Sequence, residues 1–199
     1  MNPSKAALTL ACALSMVAAR AQAQPGSASP NASPIPASTL NSTPYAGEQS
    51  RPTKALSERE ADDLRSGRGM GLSKAAELNH RPGPRHVLDL ANQLALSHAQ
   101  RTEVQAVFDR MDRDAKALGA MVIDRERALD ARLVQGDFER LDVERWIEEI
   151  ARLQARLRFT HIDAHLHTAR VMTQPQIAAY DRLRGYDGGG GGAIHDHSH

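Results

Sequence analysis

The chain has 199 residues, with 25 lysines and arginines against 24 aspartates and glutamates, and only 4% of its residues are aromatic. A chain of this kind lacks the basic face and the base-stacking platform that nucleic-acid binding requires. Its single cysteine, Cys12, excludes a disulfide within the chain, and because we expect Cys12 to be removed with a signal peptide, we expect no thiolate metal site either. Stability must therefore come from helix packing, and we expect association of two copies to add to it.

The first 23 residues are typical of a secretory signal peptide. Lys5 supplies the positive start, residues 6–19 the apolar stretch, and residues 21–23 (Ala-Gln-Ala) the cleavage site. The apolar stretch is too short to span a bilayer, so we expect no membrane insertion. Cleavage would remove Cys12 and deliver the protein to the periplasm.

Residues 24–55 are rich in Ser, Pro, Ala and Thr and predict a disordered linker, because they cannot bury enough apolar surface to offset the entropy of ordering. Residues 56–95 predict short helices. The first of these begins at a capping box formed by Ser57 and Glu60.

Residues 96–186 predict the core, an all-α fold dominated by a long antiparallel helical hairpin. Apolar residues recur at helical spacing over 97–134 and again from near 138 to about 170. Gly136 is suited to end the first long helix, and Asp137 is the expected cap of the second. With so short a turn, the two helices must fold back on each other.

Two similar short elements bracket this hairpin. Each consists of an apolar residue, a hydroxyl residue, two further residues and a glutamine, which is the pattern of a capping box at a helix start. Their defining positions are Leu96, Ser97 and Gln100 in the first and Met172, Thr173 and Gln176 in the second.

The pair of boxes resembles the repeated L-T-x-x-Q motif of the Spy/CpxP family of periplasmic proteins and of their heavy-metal-binding relatives. The resemblance covers Val87 to Tyr186, with Ser97 in place of Thr and Met172 in place of Leu. It implies an ATP-independent periplasmic chaperone or stress adaptor that binds unfolded or misfolded proteins on a cradle-like homodimer of hairpins. The sequence carries no motif that predicts an enzyme.

A second apolar stripe follows the outer side of the second long helix. Phe159, Ile162 and Leu166, followed by Ala169, lie opposite the seam between the two long helices. One hairpin partner covers only one side, so this stripe is the predicted client or dimer surface. The alternative is a monomer whose short helices fold over it.

Histidines give a second hypothesis, a periplasmic sensor or scavenger of zinc, copper or nickel. His161 and His165 are four residues apart on one helical face, and the hairpin register brings Asp112 or Asp109 opposite them as a third ligand. For His161, which lies near the seam in phase with Leu157, a packed, hydrogen-bonded histidine is the ordinary alternative. Residues 187–199 form a Gly-rich tail that is expected to be flexible and to capture such a metal weakly. The tail's alternating histidines are His195, His197 and His199. Neither hypothesis requires a cofactor for folding.

Overall fold

The computed structural model describes residues 43–186, and within them the fold is all-helical, as the sequence predicts. The predicted signal peptide, residues 24–42 of the predicted linker and the histidine-rich tail lie outside the described residues. The described end of that linker is folded and not disordered as predicted, because Thr53 is buried and the Lys54 Nζ lies 2.8 Å from the Asp130 carboxylate. Six α-helices follow a short 3₁₀ turn at Glu48–Ser50. They are α1 (Glu58–Arg65), α2 (Lys74–Glu77), α3 (Pro84–Asp89), α4 (His98–Gln135), α5 (Arg140–Val171) and α6 (Gln174–Arg184).

The two long helices, α4 and α5, form the predicted antiparallel hairpin. Near its turn the Arg125 Nε atom lies 2.5 Å from the Glu149 carboxylate, and at the far end Val107 and Ala164 line one shallow groove. Gly136 ends α4 in a left-handed conformation, with φ at 74°. A residue with a Cβ atom is strained there, so glycine suits this position.

The predicted cap of α5 was wrong. Glu139, not Asp137, has the extended backbone of an N-cap, and its N–H donates to the Asp142 carboxylate at 3.1 Å. Three residues beyond Asp137 stands Arg140, a cation that cannot accept such a bond. The helix therefore begins two residues later than predicted.

The middle of the hairpin packs against α1. Leu64 of α1 is buried in a cluster with Val122 of α4 and Leu153 of α5. The helices approach so closely that a Cβ atom at Gly119 would stand 2.2 Å from the carbonyl oxygen of Leu64. Glycine at this point of α4 is what allows α1 to lie directly on the hairpin.

The open end of the hairpin is closed by α3 and α6. Its buried cluster combines residues of both short helices, their neighbouring loops and α4, and Ala169 of the second stripe packs against it. The members of the cluster are Val87, Ala91, Leu94, Leu96, Val104, Met172, Ile177 and Tyr180. Short helices therefore cover the end of the second stripe that lies nearest Ala169. Within residues 43–186 no helix is both long and apolar enough to cross a membrane.

Candidate functional site

Both predicted capping boxes are confirmed. The Ser97 hydroxyl accepts from the Gln100 N–H at 3.2 Å, and the Gln100 side chain accepts from the Ser97 N–H at 3.0 Å. The same two bonds join Thr173 and Gln176, at 3.4 and 2.9 Å. Each box satisfies N–H groups that a helix start leaves unpaired.

The two boxes also meet in space. The Gln100 Nε2 donates to the Gln176 Oε1 at 2.8 Å, and the Gln176 Nε2 donates back to the Gln100 Oε1 at 3.1 Å. We call this reciprocal pair of Gln100 and Gln176 the glutamine clasp. Each amide also donates to a backbone carbonyl near the other box, that of Val171 at 2.9 Å or of Leu94 at 3.3 Å.

The clasp joins the start of α4 to the start of α6, across 76 residues of sequence. Beneath it, Leu96 and Met172 are buried in the cluster that closes the open end. The sequence predicted each box as a local feature, whereas their pairing depends on the fold. The paired capping boxes therefore have a structural role, because they hold the start of α4 against the start of α6.

A buried polar centre around Glu77 was missed by the sequence analysis. Glu77 is only 9% exposed, and its Oε1 accepts from the Tyr180 hydroxyl at 2.5 Å and the Tyr186 hydroxyl at 3.2 Å. The Arg184 Nε lies 3.7 Å from the same oxygen, and the Gly83 N–H donates to the other at 3.2 Å. The segment from Tyr180 to Tyr186 thereby fixes α6 to the turn after α2.

His165 connects this centre to the hairpin. Its Nδ1 lies 2.7 Å from the Arg81 carbonyl oxygen and 3.5 Å from the Glu77 carboxylate. Burial lowers the pKa of His165, while the Arg81 carbonyl and the charge of Glu77 act in the opposite direction. His165 is thus a packed, hydrogen-bonded residue.

His161 has a different environment. It is 3% exposed, and its Nε2 is buried without a hydrogen-bond partner in the described structure. Burial, and secondarily the neighbouring His165, lowers its pKa, so the ring is neutral at pH 7. Such an orphaned nitrogen is uncommon in a folded protein, where buried polar atoms are nearly always paired.

The predicted metal ligands line one cavity of about 380 Å³ between the α1–α2 loop, α3 and the hairpin. His161, His165 and Asp112 all reach it, but the Asp112 carboxylate is bound by the Lys116 ammonium at 2.7 Å. The other expected ligand, Asp109, accepts from the Gln105 amide. Among residues 43–186 no three His, Cys, Asp or Glu side chains are placed to hold one ion. The tail ligands His195, His197 and His199 lie outside the described residues.

Exposed apolar side chains occur along the hairpin, Met121, Leu141 and Ile147 among them, and two groups bear on client binding. On the predicted stripe, Phe159 is 63% exposed while Ile162 and Leu166 are half-buried. At the turn, a second group is exposed that the sequence analysis did not single out. This hairpin-end patch consists of Leu133, Val134 and Phe138, with Val134 exposed to 73%.

Aromatic and cationic contacts support the hairpin-end patch from within. The Phe138 ring meets the Trp146 ring edge-on, with 6.1 Å between their centroids, and the Arg132 guanidinium lies 4.4 Å from the Trp146 centroid. Trp146 is thereby packed, while the neighbouring aliphatic side chains are left open to a partner.

Comparison of the chain with protein-family models, with curated proteins and with solved structures found no match.

Proposed function

We propose that this protein is an ATP-independent periplasmic chaperone or stress adaptor, similar to the Spy/CpxP proteins, that holds unfolded proteins on its helical hairpin as a homodimer. The observation that carries the proposal is the hairpin-end patch. Its aliphatic side chains stand at the turn of the hairpin, at the opposite end from the clasp and from α3 and α6, where an extended polypeptide can reach them.

The side chains at the hairpin turn are suited to weak binding of unfolded polypeptides. Leu133 and Val134 offer apolar contact area to a client, and arginine side chains such as Arg132 and Arg140 add cationic groups on flexible apolar stems. A shallow surface of this kind binds many sequences weakly, because it demands no fixed geometry from the client. Release then requires dissociation alone and no nucleotide cycle.

The clasp and the Glu77 centre support the same proposal from the other end. They fix α6 and the short helices to the base of the hairpin through buried hydrogen bonds. A hairpin anchored in this way can leave apolar side chains uncovered at its turn without losing its fold.

The test is suppression of client aggregation. Thermally unfolded citrate synthase is incubated with the purified protein at equal molar ratio, without nucleotide or added metal, and light scattering is followed. We expect suppression by the natural protein, and loss of it in a Leu133→Ser/Val134→Ser variant. Leu183→Ser is the matched control, because Leu183 is also about half exposed (49%) but lies on α6. No suppression by the natural protein removes the proposal.

A metal-binding sensor or scavenger is the second candidate, favoured by the orphaned Nε2 of His161. The nitrogen is neutral, and a ring shift could bring it and His165 to one ion in their shared cavity. A third imidazole, that of His86, also lines the cavity, but the described residues bring no three such ligands together around one point. Metal binding would therefore require movement of Asp112 away from Lys116, or a ligand from elsewhere.

Calorimetry with zinc, copper and nickel separates the two possible locations. A His161→Ala/His165→Ala variant that loses binding places the metal in the cavity. A variant lacking the last five residues that loses it places the metal on the tail. Absence of binding in the natural protein eliminates this candidate and leaves the chaperone proposal untouched.

A further inference from the structure

The cavity beside the hairpin is large enough for a small organic molecule. Its volume of about 380 Å³ lies in the range of small-molecule sites, and the α1–α2 loop, α3 and both long helices enclose it. Phe108 and Met111, which are half-buried and three residues apart on α4, line it on one side. They form an apolar wall that suits the carbon skeleton of a ligand. We call this space the histidine cavity.

Two buried imidazoles line the same cavity from α5. The His161 ring is 3% exposed and has no hydrogen bond at either nitrogen within residues 43–186. The His165 Nδ1 donates to the Arg81 carbonyl oxygen at 2.7 Å, so the Nε2 of the neutral ring retains a free lone pair. A hydroxyl group both donates and accepts, and it can therefore pair with both rings, accepting from His161 and donating to His165.

The charged residues around the histidine cavity leave one cation without a partner. Arg68 is paired with Asp63 at 2.7 Å, and the Asp112 carboxylate is bound by the Lys116 ammonium at 2.7 Å. The guanidinium of Arg85, by contrast, is exposed and has no ion pair or hydrogen bond in the described part of the chain. A free guanidinium of this kind can bind a carboxylate through two parallel hydrogen bonds.

We propose that the histidine cavity binds a small aromatic acid that carries a hydroxyl group on the ring position opposite its carboxylate. The hydroxyl pairs with His161 and His165, and the carboxylate binds Arg85. The aromatic ring lies between these polar groups and packs on Phe108 and Met111. The inference is independent of the chaperone proposal, because the cavity shares no residue with the hairpin-end patch.

The three features together favour this ligand over simpler ones. An inorganic anion would leave the apolar wall unused, and a hydrocarbon would leave the imidazoles and Arg85 without partners. For a metal ion, no three suitable ligands converge on one point within residues 43–186. A hydroxylated aromatic acid uses the wall, the imidazoles and the arginine at once.

Isothermal titration calorimetry of the full chain in metal-free buffer tests the ligand class. The probe is 4-hydroxybenzoate, and the comparison compounds are benzoate, 4-hydroxybenzyl alcohol and inorganic phosphate. We expect one molecule of 4-hydroxybenzoate to bind per chain. Benzoate lacks the hydroxyl and 4-hydroxybenzyl alcohol lacks the charge, so each should bind about tenfold more weakly, and phosphate should not bind.

Two variants test the location of the site. Arg85→Gln should weaken binding of 4-hydroxybenzoate about tenfold and leave that of 4-hydroxybenzyl alcohol unchanged, because only the first ligand carries a carboxylate. Arg170→Gln is the matched control, since Arg170 is an exposed arginine of α5 outside the cavity. His161→Phe removes the ring nitrogens and should weaken binding of 4-hydroxybenzoate but not of benzoate. Circular dichroism checks that each variant is folded, and Arg85→Gln decides alone if His161→Phe does not fold.

Several results would overturn the proposal. They are no binding of 4-hydroxybenzoate by the natural protein, equal affinity for 4-hydroxybenzoate and benzoate, equal affinity for phosphate, or an Arg85→Gln variant that binds as well as Arg170→Gln. Binding that appears only after a metal is added would also overturn it, and would favour the metal-binding candidate. None of these results affects the chaperone proposal, whose test is aggregation suppression by the hairpin-end patch.

Discussion

Replacing Tyr180 by phenylalanine should destabilise the protein through Glu77 without creating a cavity. Tyr180 is fully buried, and its hydroxyl donates to the Glu77 Oε1 at 2.5 Å. Burial, reinforced by the hydrogen bond to Glu77, raises the pKa of this hydroxyl, so it is protonated and donates at neutral pH. Phenylalanine keeps the ring and removes only the donor.

The size of the loss follows from the nature of the acceptor. A hydrogen bond to a charged group contributes about 1.5–3 kcal/mol, more than a neutral one, and a buried carboxylate that loses a donor also pays part of its desolvation cost. The Tyr186 hydroxyl and the Arg184 guanidinium remain, at 3.2 and 3.7 Å from the Glu77 Oε1, and reduce the loss of stability. We therefore expect Tyr180→Phe to lower the free energy of unfolding by about 2 kcal/mol.

Urea denaturation followed by circular dichroism measures this loss. Tyr186→Phe is the matched control, because its hydroxyl contacts the same Glu77 oxygen over a longer distance and at a half-buried site; we expect it to cost about 0.5–1 kcal/mol. A Tyr180→Phe cost below about 0.5 kcal/mol, or one no larger than that of the control, would refute the assignment of Glu77 as a buried anchor.

Four further substitutions test other parts of the fold. Gln100→Ala and Gln176→Ala should each lower the free energy of unfolding by about 1 kcal/mol. The double variant should lose less than the sum of the two, because each single change already removes the same reciprocal pair, and strict additivity in urea denaturation would argue against the clasp. Gly119→Ala should destabilise the protein by about 1–3 kcal/mol and make α1 more sensitive to protease, because the Cβ atom of the alanine would collide with the Leu64 carbonyl. An unchanged melting temperature would contradict the close approach of α1 to α4. Stability should fall below about pH 6.5, because the unfolded chain then binds protons that buried His161 and His165 do not bind in the folded state, whose pKa values are lowered by burial. His161→Leu should reduce the fall in melting temperature between pH 7 and pH 5, and an unaltered profile would count against burial of His161 as a cause.

Local signals in the sequence predicted most of the helical architecture. The capping boxes at Ser57, Ser97 and Thr173 each involve residues three apart, so a short stretch of chain contains all that is needed to form them. The hairpin followed in the same way from two long apolar stripes and Gly136. The start of α5 was missed because two acidic residues competed as caps, and only the residue three positions on decided between them.

The same local signals do not predict contacts between residues that are far apart in the sequence. Glu77 and Tyr180 are 103 residues apart, and nothing in either neighbourhood indicates the other. Gly119 lies in a helix where glycine is ordinarily unfavourable, and that departure was a usable signal of close packing. The two glutamines could have been linked by noticing that identical boxes open helices which meet at the base of one hairpin.

The exposed surfaces also depend partly on local sequence signals and partly on long-range packing. Phe159 was predicted as part of an apolar stripe because helical periodicity places it opposite the seam. The degree of exposure along that stripe depends on where α3 and α6 pack, which is a tertiary property. It leaves Phe159 open and buries part of Leu166.

Site-specific photocrosslinking tests most directly whether the hairpin turn holds clients. A photoreactive residue is placed at Val134 (73% exposed) and, as a control, at Leu183 on α6 (49% exposed), and each protein is irradiated with unfolded citrate synthase in the absence of nucleotide. The account predicts a crosslinked product from position 134 and little from position 183. No product from position 134, or equal products from both, would contradict a holding surface at the hairpin turn.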